Sequence, residues 1–188
     1  MKLILASQSP RRRELLGLFH IPFEIRVADI DEAMDPTKAP ADEVARVIRL
    51  KAMAVPRADD DVIIAADTIV VCRGRVLGKP RDAADARNML ELLSGKDHQV
   101  MTGLTILRGN TAVTHTEVTD LHFRPLTDRE IDQYIRSGEP MDKAGAYGIQ
   151  GGAALFCERM VGDYYNVVGL PVCKLGQMLT EIAPDLFR

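Results

Sequence analysis

Residues 62–71 form the most apolar stretch of the chain, with the sequence Val-Ile-Ile-Ala-Ala-Asp-Thr-Ile-Val-Val. β-Branched residues dominate it, and apolar residues fill successive positions rather than alternate ones. This pattern predicts a strand that is covered on both faces. Such a strand is typical of an α/β protein, in which helices pack on a central sheet. We therefore expect the α/β class.

Asp67 interrupts this strand with a carboxylate that is costly to bury unless it is paired, protonated or bound to a metal ion. Ligands of α/β sheets bind beyond the carboxyl ends of strands. Asp67 is therefore a candidate general base or metal ligand, and Thr68 beside it faces the opposite way. The alternative is a structural aspartate that caps a neighbouring turn.

Strand and helix patterns alternate along the rest of the chain. Strands are expected at residues 2–6, 23–27, 99–107, 112–123 and 153–160, with a short edge segment between the glycines at 74 and 78. Helices are expected at residues 10–18, 41–55, 83–93, 128–135 and 171–182, several of them opened by capping residues. The chain has 188 residues and no dividing linker, so we expect one domain over residues 1–188. Its expected architecture is a central mixed twisted sheet flanked by helices.

Composition excludes several classes of protein. The three cysteines form no CxxC pair, which favours a reduced compartment and therefore the cytoplasm. No run of about 18 apolar residues occurs, so neither a membrane span nor a membrane partner is expected. The net charge of −3 argues against nucleic-acid binding. It still permits a small anionic ligand at a local basic cluster.

Residues 7–13, with the sequence Ser-Gln-Ser-Pro-Arg-Arg-Arg, join the first strand to the first helix. The N–H groups at a helix N-terminus carry partial positive charge and bind phosphate groups. Serine hydroxyls and guanidinium groups would complete a phosphate cradle. The alternative is a serine N-cap followed by solvated arginines. The chain contains neither a Walker loop nor a GxGxxG motif.

Other polar residues could serve the same ligand. Asp29, Asp31 and Glu32 offer hard oxygen atoms that suit Mg²⁺, which usually takes one or two protein carboxylates together with water and substrate phosphates. Lys51 on the second helix and Lys79 in a Gly-Lys-Pro turn could each reach a phosphate. Taken separately, the acidic group is also typical of a solvated loop. Each lysine, taken separately, is also typical of an ordinary surface charge.

The segment 142–152 places four glycines in a loop expected between a helix and a strand. Glycine permits positive φ angles and close approach of the backbone. Gln150 carries an amide that can read the edge of a base through two hydrogen bonds. An ordinary flexible loop is the alternative, although an Asp-Lys pair and a tyrosine in the segment favour a functional one.

In combination, these blocks resemble the Maf family of nucleoside triphosphate pyrophosphatases over nearly the whole chain and in the family's order. The matching blocks are residues 5–12, 66–70, 78–80, 138–140, 142–151 and 166–171. The form of residues 146–151 resembles the branch that acts on dTTP and UTP, whereas a second branch acts on 7-methyl-GTP.

The resemblance implies a sheet flanking a long cleft, as in inosine triphosphate pyrophosphatases, a divalent cation (Mg²⁺ or Mn²⁺), and a homodimer. It implies hydrolysis of a nucleoside triphosphate between its α and β phosphates, with dTTP, UTP and modified pyrimidine nucleotides as substrates. It matches the catalytic base to Asp67 and the metal site to Glu32 and Asp67. The remaining matches are Ser7, Arg12, Lys51 and Lys79 for phosphate binding, and Arg11, Thr68 and Gln150 for base preference.

Two other functions remain open from the sequence. One is a non-catalytic, nucleotide-binding regulator of cell division, because the family is linked to septum formation. The other is a pyrophosphatase directed at purine nucleotides, of the 7-methyl-GTP or inosine triphosphate type. A carboxylate beside a polyphosphate is unfavourable in a pure binder because like charges repel, so Asp67 favours an enzyme.

Overall fold

The computed structural model describes residues 1–187, and seven of its strands form one sheet. The strands are β1 (Leu3–Leu5), β2 (Phe23–Ile25), β3 (Val62–Cys72), β4 (Arg75–Leu77), β5 (Asp97–Arg108), β6 (Thr111–Phe123) and β7 (Cys157–Val161). Their order is β2, β1, β3, β5, β6, β7, and β4 pairs with β3. β1 is parallel to β2 and β3, whereas β4 and β7 are antiparallel to their partners. The sheet is therefore mixed, which confirms the predicted fold class.

Within residues 1–187, six α-helices flank this sheet. They are α1 (Pro10–Gly17), α2 (Pro40–Ala54), α3 (Ala83–Leu93), α4 (Asp128–Arg136), α5 (Tyr164–Val168) and α6 (Val172–Ile182). None of the helices within residues 1–187 is both long and apolar enough to span a membrane.

The chain groups into two compact units. The first contains residues Met1–Asp67, Thr102–Glu117 and the segment that begins at Gly169. The second contains Thr68–Met101 and Val118–Val168. Strands β3, β5 and β6 contribute residues to both units. This grouping does not test the predicted single domain over residues 1–188, which stays a prediction.

The first unit has an aliphatic core in which α2 packs on the sheet. Apolar residues of α2 recur at helical spacing, so one face of the helix is buried. Gly103 of β5 allows the close approach, because a Cβ atom there would lie 3.0 Å from the Val44 carbonyl oxygen. The central cluster consists of Ile4, Ala6, Ile48, Ala52, Val55, Ile63, Ala65 and Leu107.

The second unit has an aromatic core. Phe123 packs edge-to-face on Tyr147, with ring centroids 4.8 Å apart, and on the ring of His98 at 4.7 Å. Tyr134 of α4 meets Phe156 in the same way at 5.2 Å. Such arrangements place the positive edge of one ring against the negative face of another.

Local sequence signals predicted most of these elements correctly. The side chains of Ser9, Asp82 and Thr127 each accept a backbone hydrogen bond at a helix start, and Thr127 and Glu130 form the predicted capping box. The predicted edge segment is present as β4, and Gly109 and Asn110 connect β5 to β6.

The predicted strand at residues 153–160 is partly wrong. Gly152–Leu155 forms a 3₁₀ turn, and β7 begins only at Cys157. Ala153 and Phe156 are buried while the two residues between them are exposed, so the pattern repeats every three residues. A 3₁₀ turn places residues three apart on one side, which a strand cannot do.

The loop predicted at residues 142–152 is also more ordered than expected. Two further 3₁₀ turns, Glu139–Asp142 and Ala144–Ala146, lead into it and form its first part. Gly145 lies inside the second turn with a φ angle of +69°. This left-handed conformation favours glycine and redirects the chain.

Candidate active site

The turn between β1 and α1 is fixed by its own serines. Ser7 is buried, and its Oγ accepts a hydrogen bond from the Ser9 N–H over 3.2 Å. The Ser9 side chain accepts one from the Arg12 N–H, and Pro10 fills the first helical position. The first turn of α1 has no acidic residue, so no side chain there offsets the partial positive charge of the helix end.

Three residues of the first unit hold the guanidinium group of Arg12. Its Nε donates to the Gly169 carbonyl over 2.8 Å, and its Nη1 donates to Ser7 Oγ over 3.3 Å. Its Nη2 lies 3.6 Å from Oδ1 of Asp67. Burial lowers the pKa of Arg12, and the Asp67 carboxylate acts in the opposite direction. The structure therefore brings three predicted site residues, Ser7, Arg12 and Asp67, together.

Asp67 and Thr68 are the half-buried residues of β3, and every other residue of this strand is buried. Because successive residues of a strand point to opposite faces, the two side chains face different sides of the sheet. The Asp67 side chain is 29% exposed, whereas that of Arg12 is 12% exposed. A carboxylate in this setting is reachable from solvent, yet it lies against a guanidinium group that is mostly buried.

A second ion pair in the first unit joins Glu32 and Lys51. The Lys51 Nζ on α2 lies 2.5 Å from Oε1 of the exposed Glu32, in the loop between β2 and α2. Glu32 also acts on Arg12, whose pKa it raises, while the neighbouring Arg11 lowers that pKa. Arg11, Glu32 and Asp67 therefore act electrostatically on Arg12, and Lys51 acts on Glu32. Asp31 instead accepts the Ala33 N–H over 2.9 Å and orders the local loop.

The acidic residues of the first unit suit a cation that arrives with a polyphosphate. Within residues 1–187, no three His, Cys, Asp or Glu side chains form a group that could enclose a metal ion. The predicted donors are two carboxylates, Asp67 and Glu32, and each faces a basic side chain. Mg²⁺ commonly takes one or two protein carboxylates and completes its shell with water and substrate phosphates, so this donor set fits such an ion.

Three predicted site residues belong to the second unit: Thr68, Lys79 and Gln150. Thr68 is half-buried on β3, while Lys79 and Gln150 are exposed. Their joint use with the residues of the first unit stays a prediction.

The Lys79 turn is tied to the glycine-rich segment 142–152. The carbonyl of Gly78 accepts a hydrogen bond from the Gly145 N–H over 3.0 Å. A Cβ atom at Gly145 would lie 2.8 Å from Cγ2 of Val70, so the backbone passes too close to β3 for a larger residue. The segment is therefore braced against both β3 and the lysine turn.

Comparison with known proteins identifies the family of the chain. The family model described as Maf-like protein matches residues 2–182. The chain belongs to this family. The predicted resemblance to the Maf family is thereby confirmed.

Two relatives carry the same name. A dTTP/UTP pyrophosphatase of Alkaliphilus metalliredigens (strain QYMF) is 53% identical over 183 residues, which cover 95% of this chain and 94% of the relative. A dTTP/UTP pyrophosphatase of Bacillus cytotoxicus is 48% identical over 181 residues, covering 96% and 95%.

A solved structure supports the fold. A HAM1 protein from Coxiella burnetii aligns with 96% of this chain and 99% of its own, with a TM-score of 0.51 and 16% sequence identity. At this level of identity the likeness concerns the fold alone.

Two residues of this Maf-family chain had no predicted role although both lie in blocks that match the family. Gly169 supplies the carbonyl that holds Arg12, and its φ angle of +130° is one that side-chain-bearing residues rarely adopt. Glu139 accepts hydrogen bonds from Tyr134 and from the Gly152 N–H. Each residue lies in a block that matches the family, but the block does not indicate the partner: Gly169 binds Arg12, 157 residues away, and Glu139 binds Gly152, 13 residues away.

Proposed function

We propose that this chain hydrolyses dTTP and UTP between the α and β phosphates and releases the nucleoside monophosphate and pyrophosphate. The observation that carries the proposal is the half-buried Asp67 carboxylate 3.6 Å from Arg12, at the start of α1. A proton acceptor and a phosphate-binding cation then stand side by side at a helix N-terminus. The names of two relatives, at 53% and 48% identity over most of the chain, support the same activity.

In this proposal the first unit binds the phosphates and positions water. Arg12 and Ser7, at the N-terminal end of α1, hold phosphate oxygens, and Lys51 adds a second positive charge. Asp67 orients a water molecule and accepts its proton as the water oxygen bonds to the α-phosphorus. The bond from that phosphorus to the bridging oxygen breaks, and pyrophosphate leaves. Most of the rate gain comes from positioning and electrostatic stabilisation.

Three residues of the second unit have the remaining roles in this proposal. Lys79 meets the departing pyrophosphate, while Thr68 and Gln150 set the base preference together with Arg11. A divalent cation, Mg²⁺ or Mn²⁺, would be held by Glu32 and Asp67 and would neutralise phosphate charge.

A nucleotide panel tests the proposal, with released pyrophosphate as the readout. Purified protein is incubated with Mg²⁺ or Mn²⁺ and, in turn, dTTP, UTP, CTP, ITP and 7-methyl-GTP. The expected result is pyrophosphate release from dTTP and UTP in preference to the others. Binding without pyrophosphate release would instead support the nucleotide-binding regulator of cell division. Preferential cleavage of 7-methyl-GTP or ITP would support a purine-directed enzyme.

We further propose that the protein is a cytoplasmic homodimer. The support is the family membership and, for the compartment, three cysteines that the structure leaves as free thiols. Sedimentation velocity of the purified chain tests the dimer, because a single species at the monomer mass of 20.8 kDa would refute it. Cell fractionation tests the compartment.

A further inference from the structure

The Glu139 carboxylate and the Tyr134 hydroxyl together brace the glycine-rich segment at two points. Oε1 of Glu139 accepts a hydrogen bond from the Tyr134 hydroxyl over 2.8 Å, and Oε2 accepts one from the Gly152 N–H over 3.1 Å. The Tyr134 hydroxyl accepts a hydrogen bond from the Gly148 N–H over 3.0 Å. Residues 148 and 152 are therefore both tied to the Glu139–Tyr134 pair, and Gln150 lies midway between these two anchors.

The glycines of this segment fit the brace. A Cβ atom at Gly151 would overlap the Glu139 carboxylate, and one at Gly152 would lie 3.2 Å from the Tyr134 ring. Burial raises the pKa of Tyr134, so its hydroxyl keeps the proton that it donates to Glu139. The carboxylate thus lies directly against the backbone, with its hydrogen bonds inside a crowded, half-buried space.

This arrangement fixes the backbone on both sides of the exposed Gln150. Its neighbour Ile149 is buried at 8% exposure, so the backbone cannot rotate without withdrawing an apolar side chain from the core. A glutamine amide presents an acceptor and a donor side by side. A freely turning amide can match uracil, which offers N3–H and a carbonyl, or cytosine, which offers N3 and an amino group. Discrimination between these bases therefore requires a rigid support.

We propose that Glu139, acting through Tyr134 and the backbone of residues 148–152, is a positioning residue that makes Gln150 select uracil and thymine over cytosine. This inference rests on the proposed function, because it names what sets the base preference of that site. Glu139 itself does not touch the substrate in this proposal. Its contribution is the geometry of the loop, and binding groups displaced by about 1 Å lose much of their effect.

The test compares kcat/KM for UTP and CTP in Glu139→Gln and wild-type protein. Glutamine keeps the size of the side chain but replaces one acceptor with a donor, so one of the two hydrogen bonds is lost. The ratio of kcat/KM for UTP to that for CTP should fall about two- to tenfold, the effect of one hydrogen bond. Tyr134→Phe should lower the ratio similarly and carries the test should Glu139→Gln not fold. Glu158→Gln, the same change at an exposed position of β7, should leave the ratio unchanged.

A double-mutant cycle separates positioning from general damage. In a Gln150→Ala background, Glu139→Gln should have no further effect on the ratio, because no amide remains to be positioned. A loss of kcat/KM that is equal for UTP and CTP, or the same change of ratio in both backgrounds, would overturn the role of Glu139. Wild-type protein that cleaves UTP and CTP equally would overturn it too.

The same experiment distinguishes the two levels of the hypothesis. Wild-type protein that releases no pyrophosphate from UTP would refute the proposed function and, with it, this role. If wild-type protein prefers UTP and a folded Glu139→Gln variant shows the same preference, only the role of Glu139 is refuted. Faster amide hydrogen exchange at Gly148 and Gly152 in the variant is the expected accompanying sign of a released brace.

Discussion

Substituting Asp67 by asparagine separates catalysis from phosphate binding. Asparagine preserves the shape of the side chain and removes its charge, so Arg12 loses its carboxylate neighbour while keeping its hydrogen bonds to Ser7 and Gly169. Turnover of UTP should fall by about two to four orders of magnitude, because a general base is lost. Binding of UTP in the absence of a divalent cation should not weaken, and should tighten.

The size of the tightening follows from the 3.6 Å separation between Arg12 and Asp67. A unit charge pair at that distance interacts by about 1 kcal/mol in water and about 5 kcal/mol at an effective dielectric constant near 20. Since the Asp67 side chain is 29% exposed, the lower figure is the better guide. A guanidinium released from about 1 kcal/mol of attraction binds a phosphate roughly fivefold more tightly.

The assay has two arms. Calorimetric titration with UTP in a chelating buffer measures affinity, and pyrophosphate release with Mg²⁺ measures turnover. Asp59→Asn, the same change at an exposed position just before β3, serves as the control and should alter neither quantity. A folded Asp67→Asn variant with turnover within about tenfold of wild type would exclude Asp67 as the base. Weaker binding of UTP without metal would contradict the electrostatic argument.

Three further predictions concern residues of the second unit. Lys79→Ala should lower kcat/KM for UTP about ten- to a hundredfold in the pyrophosphate assay, because a charge that stabilises the leaving group is lost, and an unchanged value would exclude Lys79 from the site. Burial holds the pKa of His98 at about 4, below its usual 6.5. As the pH falls below 6.5, His98 is protonated in the unfolded chain before it is protonated in the folded protein. The free energy of unfolding should therefore drop by about 2 kcal/mol between about pH 7.5 and pH 5. Urea unfolding of wild type and His98→Gln measures this, and an identical pH dependence in both would contradict it. Gly145→Ala should lower the free energy of unfolding by about 1–3 kcal/mol through strain against Val70. Gly17→Ala, whose new Cβ atom would meet nothing within 4 Å, should change it little. Equal free energies of unfolding for the two variants would refute the close approach of Gly145 to Val70.

The elements of this fold were predictable where their signals are local. The N-caps at Ser9, Asp82 and Thr127 each act on a residue three positions away, so a short window of sequence contains both partners. The 3₁₀ turn at Gly152–Leu155 was missed because it depends on distant partners. Its first N–H is held by Glu139, thirteen residues earlier, and no periodicity expresses that bond.

The candidate site shows the same limit. An aspartate inside a buried strand signalled that Asp67 needs a partner, but a strand pattern does not say which one. The partner, Arg12, is in turn oriented by the Gly169 carbonyl, 157 residues away in the sequence. A backbone carbonyl has no sequence signature, and only the φ angle of +130° at that glycine marks the position as unusual. The family resemblance supplied residue roles that spacing alone could not.

Two cations of the first unit that are proposed for phosphate binding are paired with carboxylates before any ligand binds. Arg12 faces Asp67 and Lys51 faces Glu32, and both carboxylates are proposed for metal binding. A triphosphate competes with these carboxylates for the cations, and a divalent ion competes with the cations for the carboxylates. Either ligand therefore releases the group that the other requires, and thermodynamic linkage makes the assistance mutual. In the proposed site, this pairing lets a chain with a net charge of −3 offer cations to a polyphosphate once a divalent ion draws the carboxylates away.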